Sequence, residues 1–151
     1  MRVVSVALIV GGLLAGLVPV TAPAQERVDR VSAQNFRTTV SQLERALESR
    51  AFMIVAQVDH QNMLRMVGAS TGGSLTIEFG NPAMMRENLP AHPEIGLEMP
   101  MRFYVWERAD GRTVVSYRRP SAAFAGYPPE LRMMGEMMDS TFTQIAADAT
   151  R

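Results

Sequence analysis

The hydrophobic and polar positions in the first half of the chain predict a helix, a strand and a second, short helix. Between residues 35 and 50, apolar residues recur at intervals of three and four, which predicts an amphipathic helix with Asn35 as its N-cap and an apolar stripe of Phe36, Val40, Leu43 and Leu47. The run 51–58 is apolar except at Gln57, so it predicts a strand covered on both faces or nearly so. Asp59 ends this run and is expected to cap a short helix that continues to about residue 67.

The next segment changes to the alternation that is typical of strands. Residues 75–79 alternate between apolar and polar side chains, which predicts a half-buried strand. This strand ends at Gly80-Asn81-Pro82, a sequence that favours a turn. A short helix is expected to follow at residues 83–89.

The remaining part of the chain predicts a hairpin and a closing helix. Two β-type runs, 101–107 and 113–117, are joined through Asp110-Gly111, which indicates a hairpin turn. Residues 130–149 predict a long helix with an inner stripe of Leu131, Met134, Met138, Phe142 and Ile145. Together these elements predict an α+β fold: a single mixed, largely antiparallel β-sheet with helices packed on one face, in the approximate order β-α-β-α-β-β-β-α.

The start of the chain has the three parts of a secretory signal peptide. Arg2 is followed by an apolar run from Val3 to Val20, and Ala22 and Ala24 place small residues where signal peptidase requires them. We expect cleavage after Ala24; the alternative, a retained membrane anchor, is disfavoured because the run is short and contains glycines and a proline. The predicted organisation is a signal peptide at 1–24, a lead-in at 25–34 and one domain at 35–149.

The composition excludes several classes of function. The chain has no cysteine, which excludes disulfides, thiolate catalysis and cysteine-ligated metal centres. Every basic residue is an arginine, so Schiff-base chemistry on lysine is also excluded. Removing Arg2 from the 15 basic residues leaves 14 against 15 acidic ones, so the mature chain is almost neutral and nucleic-acid binding is not expected.

Several short motifs, taken in order, resemble one bacterial family. They are the apolar run 52–58 followed by Asp59-His60, the segment 77–82, the segment 96–100, and the segment 103–107 followed by Asp110-Gly111 and Ser116-Tyr117. In this combination the sequence resembles the DUF302 family over about residues 33–147. The resemblance implies a small α+β domain that tends to form dimers and that has no settled biochemical activity.

His60 is the first candidate for chemistry, because it follows the apolar strand and begins a helix. In its neutral form the imidazole of His60 could bind a metal or accept a proton. With Glu107, which would act as a buried acid, His60 could serve a hydrolase or an isomerase. The structural alternatives are that Asp59 caps the helix while His60 packs beside it, and that Glu107 pairs with an arginine such as Arg102 or Arg118.

A ligand cleft is the second candidate. We expect it to be formed by Asp59 and His60, by the turn Gly80, Asn81 and Pro82, and by Trp106 and Glu107. Backbone N–H groups of such a turn, together with an asparagine amide, can bind a carboxylate or another small polar ligand. The same residues form structural turns whatever the function, so both interpretations stay open.

Methionines are the third candidate, since eleven of the twelve remain after cleavage. Thioethers are soft ligands that select Cu(I), so a site could be built from His60, Met63, Met133, Met134, Met137 and Met138. More often methionines at helical spacing fill a core or form an adaptable interface. Doublets on a helix also place apolar side chains on more than one face, which favours a dimer.

The sequence therefore predicts a secreted or periplasmic binding or accessory module that forms a homodimer. We expect its ligand to be a small molecule and not a nucleic acid, and we expect no membrane contact after cleavage. No resident cofactor and no catalytic residue are assigned, with copper binding and a hydrolase or isomerase kept as alternatives.

Overall fold

The computed structural model describes residues 26–151, in which five strands and five helices are connected by short loops. The predicted signal peptide and its cleavage site after Ala24 lie outside these residues. The elements are β1 (Arg27–Val31), α1 (Phe36–Glu48), β2 (Met53–Asp59), α2 (His60–Met66), β3 (Ser74–Gly80), α3 (Pro82–Asn88), a 3₁₀ turn (Pro93–Glu98), β4 (Met101–Glu107), β5 (Thr113–Arg118), α4 (Pro120–Ala123) and α5 (Pro129–Ala149).

The strands form one sheet in the order β1-β5-β4-β3-β2, and every neighbouring pair is antiparallel. The predicted α+β class is thereby confirmed. The helix predicted at residues 83–89 is present as α3 and separates β3 from β4. The approximate predicted order, with three consecutive strands, omitted this helix, and within residues 26–151 only β4 and β5 follow each other directly. The expected lead-in also contains β1, which pairs with β5.

The core lies between the sheet and the helices α1 and α5. Four aromatic rings form its centre, with Phe103 at centroid distances of 5.4, 5.1 and 5.1 Å from Phe79, Tyr117 and Phe142. All five residues of the stripe predicted on the closing helix are buried: Leu131, Met134, Met138, Phe142 and Ile145.

Local hydrogen bonds explain where several elements begin. Asn35 caps α1 by accepting a hydrogen bond from the backbone N–H of Thr38 at 2.9 Å, and Asp59 caps α2 through the N–H of Asn62 at 2.8 Å. In the hairpin between β4 and β5, Gly111 has φ of +79°, a conformation that favours glycine. Both caps and the hairpin were predicted from the sequence and are confirmed.

Strand β2 differs from the prediction, because it lies at the edge of the sheet and is not covered on both faces. Met53 is 55% exposed and Val55 is 51% exposed. The register shifts at Val55, which indicates a β-bulge between Ile54 and Ala56. The apolar run was correctly interpreted as a strand, but hydrophobicity alone does not say which strands lie beside it.

A helix that crosses a bilayer needs about 20 consecutive, predominantly apolar residues. No helix within residues 26–151 is both long enough and apolar enough to meet this requirement.

Candidate functional site

Most of the candidate polar side chains lie on the face of the sheet opposite α1 and α5, called the open face below. Alternation along each strand sends every second side chain to this face. Helix α2 covers only one corner of it, over Ser74, Thr76 and Tyr104. The open face includes Arg27, Asp29, Ser74, Thr76, Glu78, Arg102, Tyr104, Trp106, Ser116 and Arg118.

His60 lies at the corner of the open face beneath α2. Its Nε2 atom shares a hydrogen bond of 2.8 Å with Oγ1 of Thr76. Its ring is edge-on to Tyr104, with the two centroids 5.9 Å apart. These contacts hold the imidazole against the sheet beside a shallow depression that Leu64 and Thr71 also line.

A polar network crosses the open face from β4 to β1. Trp106 donates from Nε1 to Oγ of Ser116 at 2.9 Å, and Ser116 donates to Oδ1 of Asp29 at 2.6 Å. Arg27 donates to the same Asp29 oxygen at 2.7 Å, and its guanidinium lies 5.8 Å from the centroid of the Trp106 ring. The network fixes β1 against β5 and orients Trp106, which also stacks on Tyr104 at 6.4 Å.

Asp29 is the titratable group of this network. Partial burial raises its pKa, but the hydrogen bonds from Ser116 and Arg27 outweigh that effect and hold the pKa below the ordinary 3.8. A carboxylate with a depressed pKa stabilises the folded state above its unfolded pKa, and this contribution is lost as the pH falls through the folded value.

We therefore expect Asp29→Asn to lower the free energy of unfolding at neutral pH. The loss should be less than about 1 kcal/mol, because the carboxylate is partly exposed to solvent. Urea unfolding at neutral pH and at about pH 2 measures this loss. The difference in unfolding free energy between the variant and the unchanged protein should disappear at the acidic pH. An equal difference at both pH values would show that the charge of Asp29 contributes nothing.

A pocket of about 570 Å³ opens where β4 begins and β5 ends. One wall comes from the 3₁₀ turn and the residues after it, and the opposite wall comes from α4. Helix α4 lies very close to α5 because Gly135 has no side chain: a Cβ there would be 3.1 Å from Cα of Ser121. The lining combines apolar and charged side chains: Arg27, Leu97, Glu98, Pro100, Met101, Arg102, Tyr104, Ser116, Tyr117, Arg118, Pro120, Ala123, Phe124 and Phe142.

Three arginines of this lining stand in one row across adjacent strands. Arg27 on β1 is the register partner of Arg118 on β5. Phe103 pairs with Tyr117, so continuing that antiparallel register by one residue places Arg102 on β4 opposite Arg118. The row ends at Glu78 on β3, the register partner of Arg102.

The three segments expected to form one cleft are separated in the structure. Trp106 pairs with Ser74 at the start of β3, close to His60, whereas Gly80 ends that strand. Six residues of extended strand span about 20 Å. Oδ1 of Asn81 accepts hydrogen bonds from the N–H groups of Ala83 and Met84, and Pro82 is the first residue of α3. The turn therefore begins a helix.

Glu107 also has a different partner from those expected. Its Oε2 atom accepts a hydrogen bond from the backbone N–H of Gly73. Arg102 and Arg118, the expected partners, lie at the opposite end of their strands, beside the pocket. Glu107 thus fixes the loop before β3 to the end of β4.

His60 and the methionines named for the copper alternative do not come together within one chain. His60 and Met63 belong to α2 on the open face, whereas α5 packs against the other face. On α5, Met134 and Met138 are buried in the core, and Met133 and Met137 point outward with 58% and 68% exposure. Among residues 26–151, no group of three or more His, Asp and Glu side chains could hold a metal ion. The residues of the alternative Cu(I) site thus lie on opposite faces of the sheet.

The pocket-lining residues Arg27, Tyr104 and Ser116 were not among the side chains predicted to bind a ligand, although Tyr104 and Ser116 belong to the motifs of the family resemblance. A signal for them was present, because alternation along Met101–Glu107 places Arg102, Tyr104 and Trp106 on one face. The pairing of β4 and β5 brings Ser116 opposite Tyr104 on that same face.

Comparisons with known proteins identify a family and a fold. A family model described as "Domain of unknown function DUF302" matches residues 28–147. Among solved structures, the "Crystal structure of uncharacterized conserved protein DUF302 from Bacillus stearothermophilus" has a TM-score of 0.76 and 18% sequence identity, covering 85% of this chain and 100% of that chain. At this identity the similarity shows the fold. No curated protein matches the chain.

Proposed function

The chain belongs to the DUF302 family, and we propose that it is a secreted or periplasmic module that binds a small molecule in the pocket between the 3₁₀ turn and α4. The observation that carries this proposal is the pocket itself. Its volume of about 570 Å³ lies within the range of small-molecule sites, and its walls combine apolar surface with a few convergent polar groups.

The alternative function, a hydrolase or isomerase that uses His60 and Glu107, receives less support from the hydrogen bonds of these two side chains. The Nε2 atom of His60 is engaged by Thr76, and the carboxylate of Glu107 is engaged by the N–H of Gly73. Neither residue lines the pocket. A general acid or base must lie within hydrogen-bonding reach of its substrate. Neither His60 nor Glu107 would be within reach of a ligand bound in this pocket.

Blocking the pocket tests the proposal. The uncharged fluorescent probe N-phenyl-1-naphthylamine should bind saturably to the chain, and Ala123→Trp should weaken its affinity at least about tenfold, because the indole would occupy the space beside α4. Fluorescence titration measures both affinities. The matched control, Ala91→Trp, places the same ring on an exposed residue outside the pocket.

The control should bind the probe as the unchanged protein does. Circular dichroism would establish that both variants are folded. Absence of saturable binding by the unchanged protein, or equal affinities for the two tryptophan variants, would contradict the proposed site.

The homodimer and the export of the chain are parts of the same proposal. Met133 and Met137 are one turn apart on the exposed side of α5, and we propose that a second copy packs against them. A native mass spectrum of the chain purified from periplasm should show a dimer whose subunits begin at Gln25. Replacing both methionines with glutamine should yield monomers; a dimer unaffected by the change would contradict this interface.

A further inference from the structure

We infer that the ligand of this pocket is an uncharged, predominantly apolar molecule whose hydrocarbon body covers the pocket walls. The inference rests on the proposed function, since it names the chemistry of a ligand in the same pocket. Three features of the pocket carry it: its polar groups already have partners in the chain, the charges beside it are balanced, and a leucine at its rim is left in solvent.

The polar side chains of the lining are engaged by other parts of the protein. Ser116 accepts a hydrogen bond from Trp106 at 2.9 Å and donates one to Asp29 at 2.6 Å. The other hydroxyl and carboxyl groups of the lining each have a partner as well: Oη of Tyr104 with Oγ of Ser74 at 2.7 Å, Oη of Tyr117 with Oγ1 of Thr143 at 3.3 Å, and Oε1 of Glu98 with Oη of Tyr127 at 3.0 Å. Within residues 26–151, no pocket-lining residue has a buried side-chain polar atom without a partner. We therefore expect hydrogen bonds to contribute little to the affinity of a ligand here.

The arginines of the lining have opposite charges beside them within the protein. Arg27 forms an ion pair with Asp29 at 2.7 Å, and Glu78 is the cross-strand partner of Arg102. Arg118 also has an interaction within the chain. The three arginines thus stand beside three carboxylates, those of Asp29, Glu78 and Glu98. An anionic ligand would lose hydration on entering the pocket without meeting an unmatched cation.

The apolar surface of the pocket, in contrast, is incompletely covered. Leu97 on the 3₁₀ turn is 86% exposed, the largest value among the exposed large hydrophobic residues within 26–151. The wall residues Pro100 and Ala123 are also exposed at least in part. Removing such surface from water is favourable, and the gain grows with the apolar area that is covered. A hydrocarbon body in the pocket would shield all three side chains.

Displacement of N-phenyl-1-naphthylamine by straight-chain alcohols tests the inference. From 1-butanol to 1-octanol, each added methylene should tighten binding about fourfold, because each buries more hydrocarbon. At neutral pH, 1-octanol should displace the probe at a concentration at least about tenfold lower than octanoate does, since the carboxylate must give up its hydration. Displacement by octanoate at the same or a lower concentration would overturn the inference, and so would an affinity that does not depend on chain length.

Substitution of the leucine at the rim tests the same inference in the protein. Leu97→Ala should weaken the binding of 1-octanol at least about threefold, because hydrocarbon contact is lost, whereas Leu97→Met should stay within about twofold of the unchanged protein. The matched control is Leu64→Ala, which truncates another exposed leucine, on α2 and outside this pocket. It should leave the affinity unchanged. Equal losses for the two alanine variants would show that the alcohol does not bind against Leu97, and the inference would be wrong.

The two proposals fail in different ways. If the probe binds saturably and Ala123→Trp weakens it, but octanoate displaces it better than 1-octanol does, the small-molecule site stands and the uncharged ligand is excluded. If the probe does not bind saturably, or if Ala123→Trp changes the binding of neither the probe nor 1-octanol, the pocket is not the site and both proposals fail.

Discussion

Replacing Phe103 with alanine will lower the free energy of unfolding by about 3–5 kcal/mol, the usual cost of removing a buried phenylalanine side chain. Phe103 is fully buried and contacts the rings of Phe79, Tyr117 and Phe142. Its removal leaves a cavity between the sheet and α5 and also removes the aromatic contacts of three neighbours. Chemical denaturation followed by circular dichroism gives the value.

The control for this prediction is Val55→Ala on the edge strand β2. Val55 is half exposed and lies at the bulge, so its truncation should cost less than about 1 kcal/mol. Similar losses for the two variants would mean that the four-ring cluster does not form the centre of the core.

A second large effect is expected from adjacent methionines on α5. Met134→Ala should cost about 2–5 kcal/mol of unfolding free energy, since Met134 is only 7% exposed and belongs to the core. The same substitution at Met133 should cost less than about 0.5 kcal/mol in the monomer, because that side chain points into solvent. The two variants have identical composition, so the difference between them isolates burial.

Thermal and urea unfolding of both variants, at a protein concentration low enough to keep the chain monomeric, will measure the difference. Equal losses would contradict the orientation of α5. A large loss for Met133→Ala that appears only at high protein concentration would instead support the proposed dimer, because association stabilises the folded state by mass action.

Elements whose signals are local were predictable from the sequence. The spacing of apolar residues on α5 fixes which side chains face the core, and the Asp110-Gly111 pair marks the hairpin because glycine there adopts positive φ. Asn35 and Asp59 were recognisable as caps because their oxygens bond to backbone N–H groups within three residues. None of these interactions depends on distant parts of the chain.

The pocket could not be predicted in the same way, because pairings between distant segments create it. Arg27 lies in a short strand whose side chains are mostly polar, so its hydrophobic pattern is weak. It reaches Arg118 only because β1 pairs with β5. The expected cleft failed for the same reason: Asn81 and Trp106 lie on neighbouring elements, but the antiparallel register places them at opposite ends.

The position of β1 in the sheet also determines the order in which the fold can be completed. Strands β2 to β5 are neighbours in both sequence and space, so they can pair one after another as they are synthesised. Asp29 of β1 and Ser116 of β5, in contrast, are 87 residues apart along the chain, and closing such a loop is slow. We therefore expect β1, the first strand within residues 26–151, to pair last, so that Arg27 joins the other arginines only when the sheet is complete.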